Sequence, residues 1–150
     1  MSGSENPLDI VTPASRLLGR RWIGVDRATG VARTAFHAPP EFANRHGIVH
    51  GGFVAAMLDS GAGFAVLDGL APEFSMVTAR LDTAFIKPTP LGPLEARAKV
   101  VARDARDVTI TAELFAPDDV LTARATVFMR IVKRRAKSAP GQQPDGGAAP

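Results

Sequence analysis

The second half of the chain alternates apolar and polar residues with a period of two. Leu94, Ala96, Ala98, Val100 and Ala102 are interleaved with Glu95, Arg97, Lys99 and Arg103. Val108, Ile110, Ala112 and Leu114 are interleaved with Thr109, Thr111 and Glu113. Leu121, Ala123, Ala125, Val127, Met129 and Ile131 follow, interleaved with Thr122, Arg124, Thr126 and Arg130. Such alternation sends successive side chains to opposite faces of a strand. Thr78–Ile86 reads as one more strand ahead of them, followed by a bend at Lys87–Gly92. With turns at Asp104–Asp107 and Pro117–Asp119, the pattern predicts a long antiparallel meander with one apolar face.

From Phe53 to about Leu67 the period changes. Phe53, Ala56, Met57, Ser60, Gly61 and Phe64 recur at spacings of three and four, which predicts a helix. Its residues are small and apolar nearly all round, so it is expected to be buried on most sides. Gly69 and Pro72 end it. Upstream, Pro13 opens a short helix with Thr12 as its N-cap, Leu17 and Leu18 inward, and Gly19 at its end. Arg20–Asp26 and Val31–His37 predict a hairpin around Arg27–Gly30, and Pro39-Pro40 breaks regular structure. The apolar sheet face needs a cover, and 53–67 is the one sizeable helix. The expected class is α+β, a curved antiparallel sheet wrapped around one central helix. Residues 1–12 are expected to be a flexible N-terminus, 13–133 one domain, and 134–150 a disordered tail of Pro, Gly, Gln and Ala.

Composition narrows the chemistry. The chain has 150 residues, the size of a single ordinary domain. It has no cysteine, which removes disulfides, thiol nucleophiles and thiolate metal sites and fits a cytoplasmic protein. Met1–Asn6 is polar and no apolar signal segment follows. The apolar runs, interrupted at Asp59 and stopped at Asp68, fall short of a membrane span of about 18 residues. The net charge of +3 gathers at Lys133, Arg134, Arg135 and Lys137 without interleaved aromatics, which argues against a nucleic-acid partner.

The chemistry-bearing stretch is Asn44-Arg-His-Gly-Ile-Val-His50-Gly51-Gly52, followed by the lone acid Asp59. A Gly-Gly pair at a helix start leaves backbone N–H groups open to a developing oxyanion. A carboxylate inside an apolar helix is a candidate base or nucleophile. Together they suggest acyl transfer to water. Ser60 has no Gly-x-Ser-x-Gly elbow around it, which argues against a serine hydrolase. His46 and His50 have metal-ligand spacing, but no third ligand is nearby, so no metal is expected.

These residues line up with a known family. Asn44-x-x-Gly47-x-x-His50-Gly51-Gly52, then Asp59, Thr78, Phe85-x-x-Pro88 with Gly92, and the closing meander resemble the hotdog-fold acyl-CoA thioesterases, in particular the phenylacetate-pathway (PaaI-like) branch. The resemblance runs from about Leu17 to Ile131. Pro117-Asp-Asp119 lacks the glycine common in that turn, and the C-terminal tail is outside the family pattern. The resemblance implies hydrolysis of an acyl- or aryl-acyl-CoA to free acid and CoA, with no cofactor beyond the coenzyme A of the substrate. It implies that Gly51 N–H polarises the thioester carbonyl and that Asp59 acts as general base or nucleophile. Asn44 would help hold the water or the acid, His50 would support the loop, and Thr78 would offer a hydroxyl near the acid. The acyl group is expected against Gly52, Phe53, Met57 and Leu58. A non-catalytic acyl-CoA sensor on the same fold is the alternative. An enoyl-CoA hydratase is disfavoured, because that branch's paired Asp and His do not occur here at its spacing.

Spacing adds a constraint of its own. Gly51 and Asp59 stand eight residues apart, roughly 12 Å along a helix axis. One thioester carbon cannot lie within about 3 Å of both. The two groups are therefore expected to come from different copies of the chain, with two antiparallel central helices beside a two-fold axis. That is a homodimer with two shared active sites, and the resemblance adds a pairing of dimers into tetramers as a further option.

Overall fold

The computed structural model describes residue 8 and residues 10–135; residues 1–7 and 9 of the expected N-terminal segment, and residues 136–150 of the expected tail, lie outside the described residues. A short helix α1 (Pro13–Leu17) precedes the hairpin β1 (Arg21–Asp26) and β2 (Val31–Ala38). The long helix α2 (Gly51–Leu67) follows, then β3 (Phe74–Phe85), β4 (Gly92–Arg103), β5 (Asp107–Ala116) and β6 (Val120–Lys133). All six strands form one sheet in the order β1-β2-β4-β5-β6-β3, antiparallel at every pairing. Helix α2 lies across one face, in contact with β2 through β6. Among the described residues no helix is long and apolar enough to cross a membrane.

The alternating residues read from the sequence supply the floor under α2. Leu94, Ala96, Ala98, Ile110, Ala112, Leu114, Ala123, Ala125 and Val127 are buried there. From the helix, Val54, Met57, Leu58, Ala62 and Val66 are buried against them. Each large side chain so enclosed contributes about 1.5–3 kcal/mol. The many alanines in the floor are matched by glycine in the helix. A Cβ on Gly61 would stand 2.8 Å from the Cβ of Ala96, closer than real Cβ atoms approach. The absence of a side chain at Gly61 thus sets how deep the helix sits.

The loop into α2 is tied at several points. Phe42 is buried and its ring stacks on that of Phe53 at 3.8 Å. Asn44 Oδ1 accepts from the backbone N–H of His46 at 2.8 Å, and Asn44 N–H donates to the carbonyl of Ile48 at 2.8 Å. Val49 N–H donates to Thr89 O, and His50 N–H to Phe42 O. Gly47 takes the positive φ of +75° that this turn needs.

Three expectations are corrected. Leu17 does not face inward: it is 59% exposed, and Leu18 and Ser15 are the buried residues of that turn. A five-residue helix has room for little more than one inward position, and the capping box between Thr12 and Ser15 turns Ser15 to the protein. Strand β3 begins at Phe74 rather than Thr78, because β6 runs on to Lys133 and pairs with Phe74–Val77. Helix α2 starts at Gly51, two residues before the first periodic apolar position.

The close approach at Gly61 sets two effects against each other. Helix propensity favours Ala over Gly by about 1 kcal/mol, whereas overpacking a tight site costs about 1–3 kcal/mol. The site is backed by Ala96 on a central strand, so overpacking wins. Gly61→Ala is expected to lower the midpoint of urea unfolding without changing its slope. A midpoint at or above that of the parent protein would show that the helix can lift off its floor.

Candidate active site

Asp59 lies in the middle of α2, half-buried. Its Oδ1 accepts a hydrogen bond of 2.6 Å from the hydroxyl of Thr78 on β3. The sheet puts Thr78 there by breaking its own alternation. Thr78 pairs with Met129, and Arg80 pairs with Phe128, so Ala79 is an extra residue in β3. Without that bulge, Thr78 and Leu81 would point to opposite faces. With it, Thr78 and Leu81 both turn to the helix side, and Arg80 turns outward over the ring of Phe128.

Beside this pair a cavity of about 480 Å³ opens along α2. Ala56, Gly63, Phe64 and Leu67 line its helix wall, and Met76 and Met129 its sheet wall. The cavity also holds Arg20, which the sequence reading treated only as the start of a strand. Its Nη1 donates to Ser60 Oγ at 2.9 Å, and its guanidinium lies 4.2 Å from the centre of the Phe64 ring. Burial pulls its pKa down from the ordinary arginine value, although the guanidinium remains protonated. No local signal could have revealed it, since the contact with Ser60 spans 40 positions.

The start of α2 carries the other candidate groups. His50 is the N-cap, and its Nδ1 accepts from Gly52 N–H at 3.0 Å. Phe53 and Val54 N–H groups donate to the carbonyl of His50. Gly51 N–H makes no hydrogen bond among the described residues. It borders a second cleft of about 380 Å³, which Asn44, Phe85 and Lys87 also line. The Phe85 ring packs so near that a Cβ on Gly51 would meet it at 3.3 Å.

The expected site residues therefore fall into two groups. Asp59 and Thr78 are together in one cleft; Gly51 and Asn44 are together in the other; His50 braces the turn between loop and helix. Because α2 is unbroken from Gly51 to Leu67, the two groups are separated by roughly 12 Å along its axis. The residues expected to contact the acyl group lie away from the Asp59 cavity. Met57 and Leu58 have no exposed surface and belong to the core. Phe53 stacks on Phe42, and Gly52 gives its N–H to His50. None of the four lines the Asp59 cavity, because they project from other sides of the helix than Ala56, Ser60, Gly63 and Phe64. Among the described residues no three His, Asp or Glu side chains are grouped to hold a metal ion.

Comparison with known proteins accords with this geometry. Residues 46–123, more than half of the chain, match the model of the thioesterase superfamily. Among solved structures, a phenylacetic acid degradation-related protein of Ralstonia eutropha, provisionally named a thioesterase, is 30% identical with a TM-score of 0.75. That similarity covers 81% of this chain and 92% of the other. The PaaI protein of the Escherichia coli phenylacetic acid degradation operon is 20% identical, with a TM-score of 0.71 over 81% of this chain and 85% of its own. A Bacillus halodurans protein solved with CoA is 22% identical, with a TM-score of 0.72 over 82% of this chain and 78% of its own. An antiparallel sheet around one helix and this match together identify the chain as a thioester hydrolase of the thioesterase superfamily, with the hotdog fold and PaaI-like relatives.

Proposed function

We propose that the protein hydrolyses acyl-CoA to a free acid and CoA at two sites shared across a homodimer. The observation that carries the reading is the division of the candidate groups between two clefts. Asp59 and Thr78 line one cleft, and Gly51, whose N–H has no partner among the described residues, lines the other. Each half lacks what the other has. Strand β3 links them, since Thr78 touches Asp59 and Phe85 touches Gly51.

β3 is an edge strand, paired only with β6 among the described residues, and it exposes Val77 and Phe85. An exposed edge of this length invites a second strand. Antiparallel pairing of two β3 strands about a two-fold near Leu81 and Asp82 would set the Thr78 end of one beside the Phe85 end of the other. Asp59 of one copy would then meet Gly51 of its twin. A fold relative solved with CoA supports CoA as the carrier. The cavity beside Asp59 lies in the usual range for small ligands, about 300–1,000 Å³, at about 480 Å³.

In this reading the thioester carbonyl oxygen lies against Gly51 N–H of one subunit. The carboxylate of Asp59 from the other either takes a proton from the attacking water or attacks the carbonyl itself. Thr78 holds one carboxylate oxygen and leaves the second for the reaction. Asn44 keeps the Gly51 loop in shape, and His50 occupies Gly52 N–H so that Gly51 N–H is the one left for substrate. The new carbon–oxygen bond replaces the carbon–sulfur bond, and the CoA thiolate leaves and is protonated; where Asp59 itself attacks, water then hydrolyses the mixed anhydride, which releases the acid and restores the carboxylate. No cofactor beyond the substrate's own CoA enters the scheme, and the cysteine-free chain fits a cytoplasmic setting.

Asp59→Asn and Asp59→Ala are expected to lower kcat by about 10²–10⁴-fold, with far-UV circular dichroism and oligomeric mass unchanged. Thiol release from a panel of acyl-CoAs measures it, and wild-type turnover in Asp59→Ala would refute the assignment. The donor can be tested separately, because proline is tolerated at the first helical position and lacks an N–H. His50 already has the extended ψ of 136° that a following proline requires. Gly51→Pro is expected to lower kcat about 10²–10³-fold, the effect of removing one oxyanion donor. Gly51→Ala crowds Phe85 equally but keeps the N–H, and should lose much less. Mixing Asp59→Ala with Gly51→Pro subunits should restore one intact site per mixed dimer, about a quarter of wild-type activity at equal ratio. No recovery after subunit exchange would place both groups in one chain.

A further inference from the structure

The Asp59 cavity contains a guanidinium, that of Arg20, with no ion-pair partner among the described residues. Two of the arginines in the described residues are half-buried, Arg20 and Arg97, while the others are exposed. Arg97 meets two carboxylates, those of Glu95 and Asp119. Arg20 meets none among the described residues. Its partners are the Ser60 hydroxyl, the Phe64 ring and, at 3.4 Å, the carbonyl of Ile10. Arg134 also borders the cavity, with its Nε on the carbonyl of Phe74. The charged groups lining this space are thus two arginines and Asp59. A purely hydrocarbon acyl chain would seal Arg20 from water without giving it an anion, which is costly. Three of its five N–H donors have no partner among the described residues and can hold a carboxylate in a fork.

The placement fits a substrate's far end. Ser60 and Phe64 follow Asp59 by one and five positions, so the guanidinium sits roughly 2–8 Å further along the helix axis. A short chain with its carbonyl at Asp59 spans that distance. We propose that the acyl group accepted here ends in a carboxylate held by Arg20, so that the substrate class is the CoA monothioester of a short dicarboxylic acid. The proposal rests on the thioesterase reading and narrows its substrate.

The test is kcat/KM on chain-matched pairs at neutral pH, glutaryl-CoA against pentanoyl-CoA and adipyl-CoA against hexanoyl-CoA. The dicarboxylic member is expected to win by about 10–100-fold, the worth of a hydrogen-bonded charge. A ratio at or below one overturns the proposal while leaving the thioesterase reading in place. Arg20→Met should bring the ratio near one, and Arg20→Gln, which retains a donor toward Ser60, serves if the Met variant does not fold. A loss shared equally by both members of a pair would mark Arg20 as a structural residue only and overturn the proposal. If no thioester is cleaved, the thioesterase reading fails. Titration calorimetry with the intact thioesters then decides the proposal: tighter binding of glutaryl-CoA supports it, and equal binding refutes it.

Discussion

The depth at which α2 sits on the sheet governs everything near the site. Gly61 against Ala96 permits an approach that any side chain at Gly61 would block. At that depth Asp59 is close enough to β3 to accept from Thr78, and Gly51 is close enough to pack against Phe85. Lifting the helix by the radius of a methyl group would loosen both contacts at once. The alanines at positions 96, 98, 112, 123 and 125 serve the same end, because a floor of larger residues would hold the helix off and change the reach of its polar side chains.

Hydrogen-bond accounting at the start of the helix follows from the same packing. A helix leaves its first N–H groups without internal partners. Here Phe42 O takes that of His50, the His50 imidazole that of Gly52 and the His50 carbonyl that of Phe53. Gly51 N–H is left, at the point where the loop and Phe85 leave an opening. The selection is made by side chains, not by the glycine pair as such. Gly52 is equally small, yet its N–H is occupied. The phenyl rings of Phe42 and Phe53 lock the loop that sets this geometry.

Much of this was legible in the sequence, for a physical reason. Period-two strands such as β4, β5 and β6 announce themselves because one face is buried and the other is wet. The buried helix stands out by its unbroken run of small apolar residues around a single acid. Asp59 and Gly51 were readable as candidates because each has chemistry unusual for its position, whereas Thr78, an ordinary strand residue, was singled out only by the family resemblance. What stayed hidden depends on contacts between distant parts of the chain. The bulge at Ala79 leaves no mark in composition, yet it decides that Thr78 faces the helix. Which residues of α2 line the cavity was not legible, because a helix apolar on all sides does not reveal which side is core. Met57 and Leu58 look like pocket residues and are interior, whereas the cavity wall is made by Ala56, Gly63 and Phe64. Arg20 read only as the start of a strand because its Ser60 partner is 40 residues away.

On the proposed reading, the edge strand explains why a single chain presents an incomplete site. A strand that both touches the acid and shields the donor must run the length between them, and along α2 that length exceeds any bond a substrate carbonyl could bridge. Filling the gap with another loop of the same chain would bury β3 and close the cleft that the substrate needs. Leaving β3 open keeps the cleft accessible and offers its unpaired backbone row to another strand. Pairing the strand with a copy of itself satisfies those backbone groups and, by the symmetry of an antiparallel ladder, exchanges its two ends. One geometric operation would then supply the missing donor to each acid. On the proposed reading, the exposed Val77 and Phe85 are the parts of an interface that the fold prepares rather than faults in its surface.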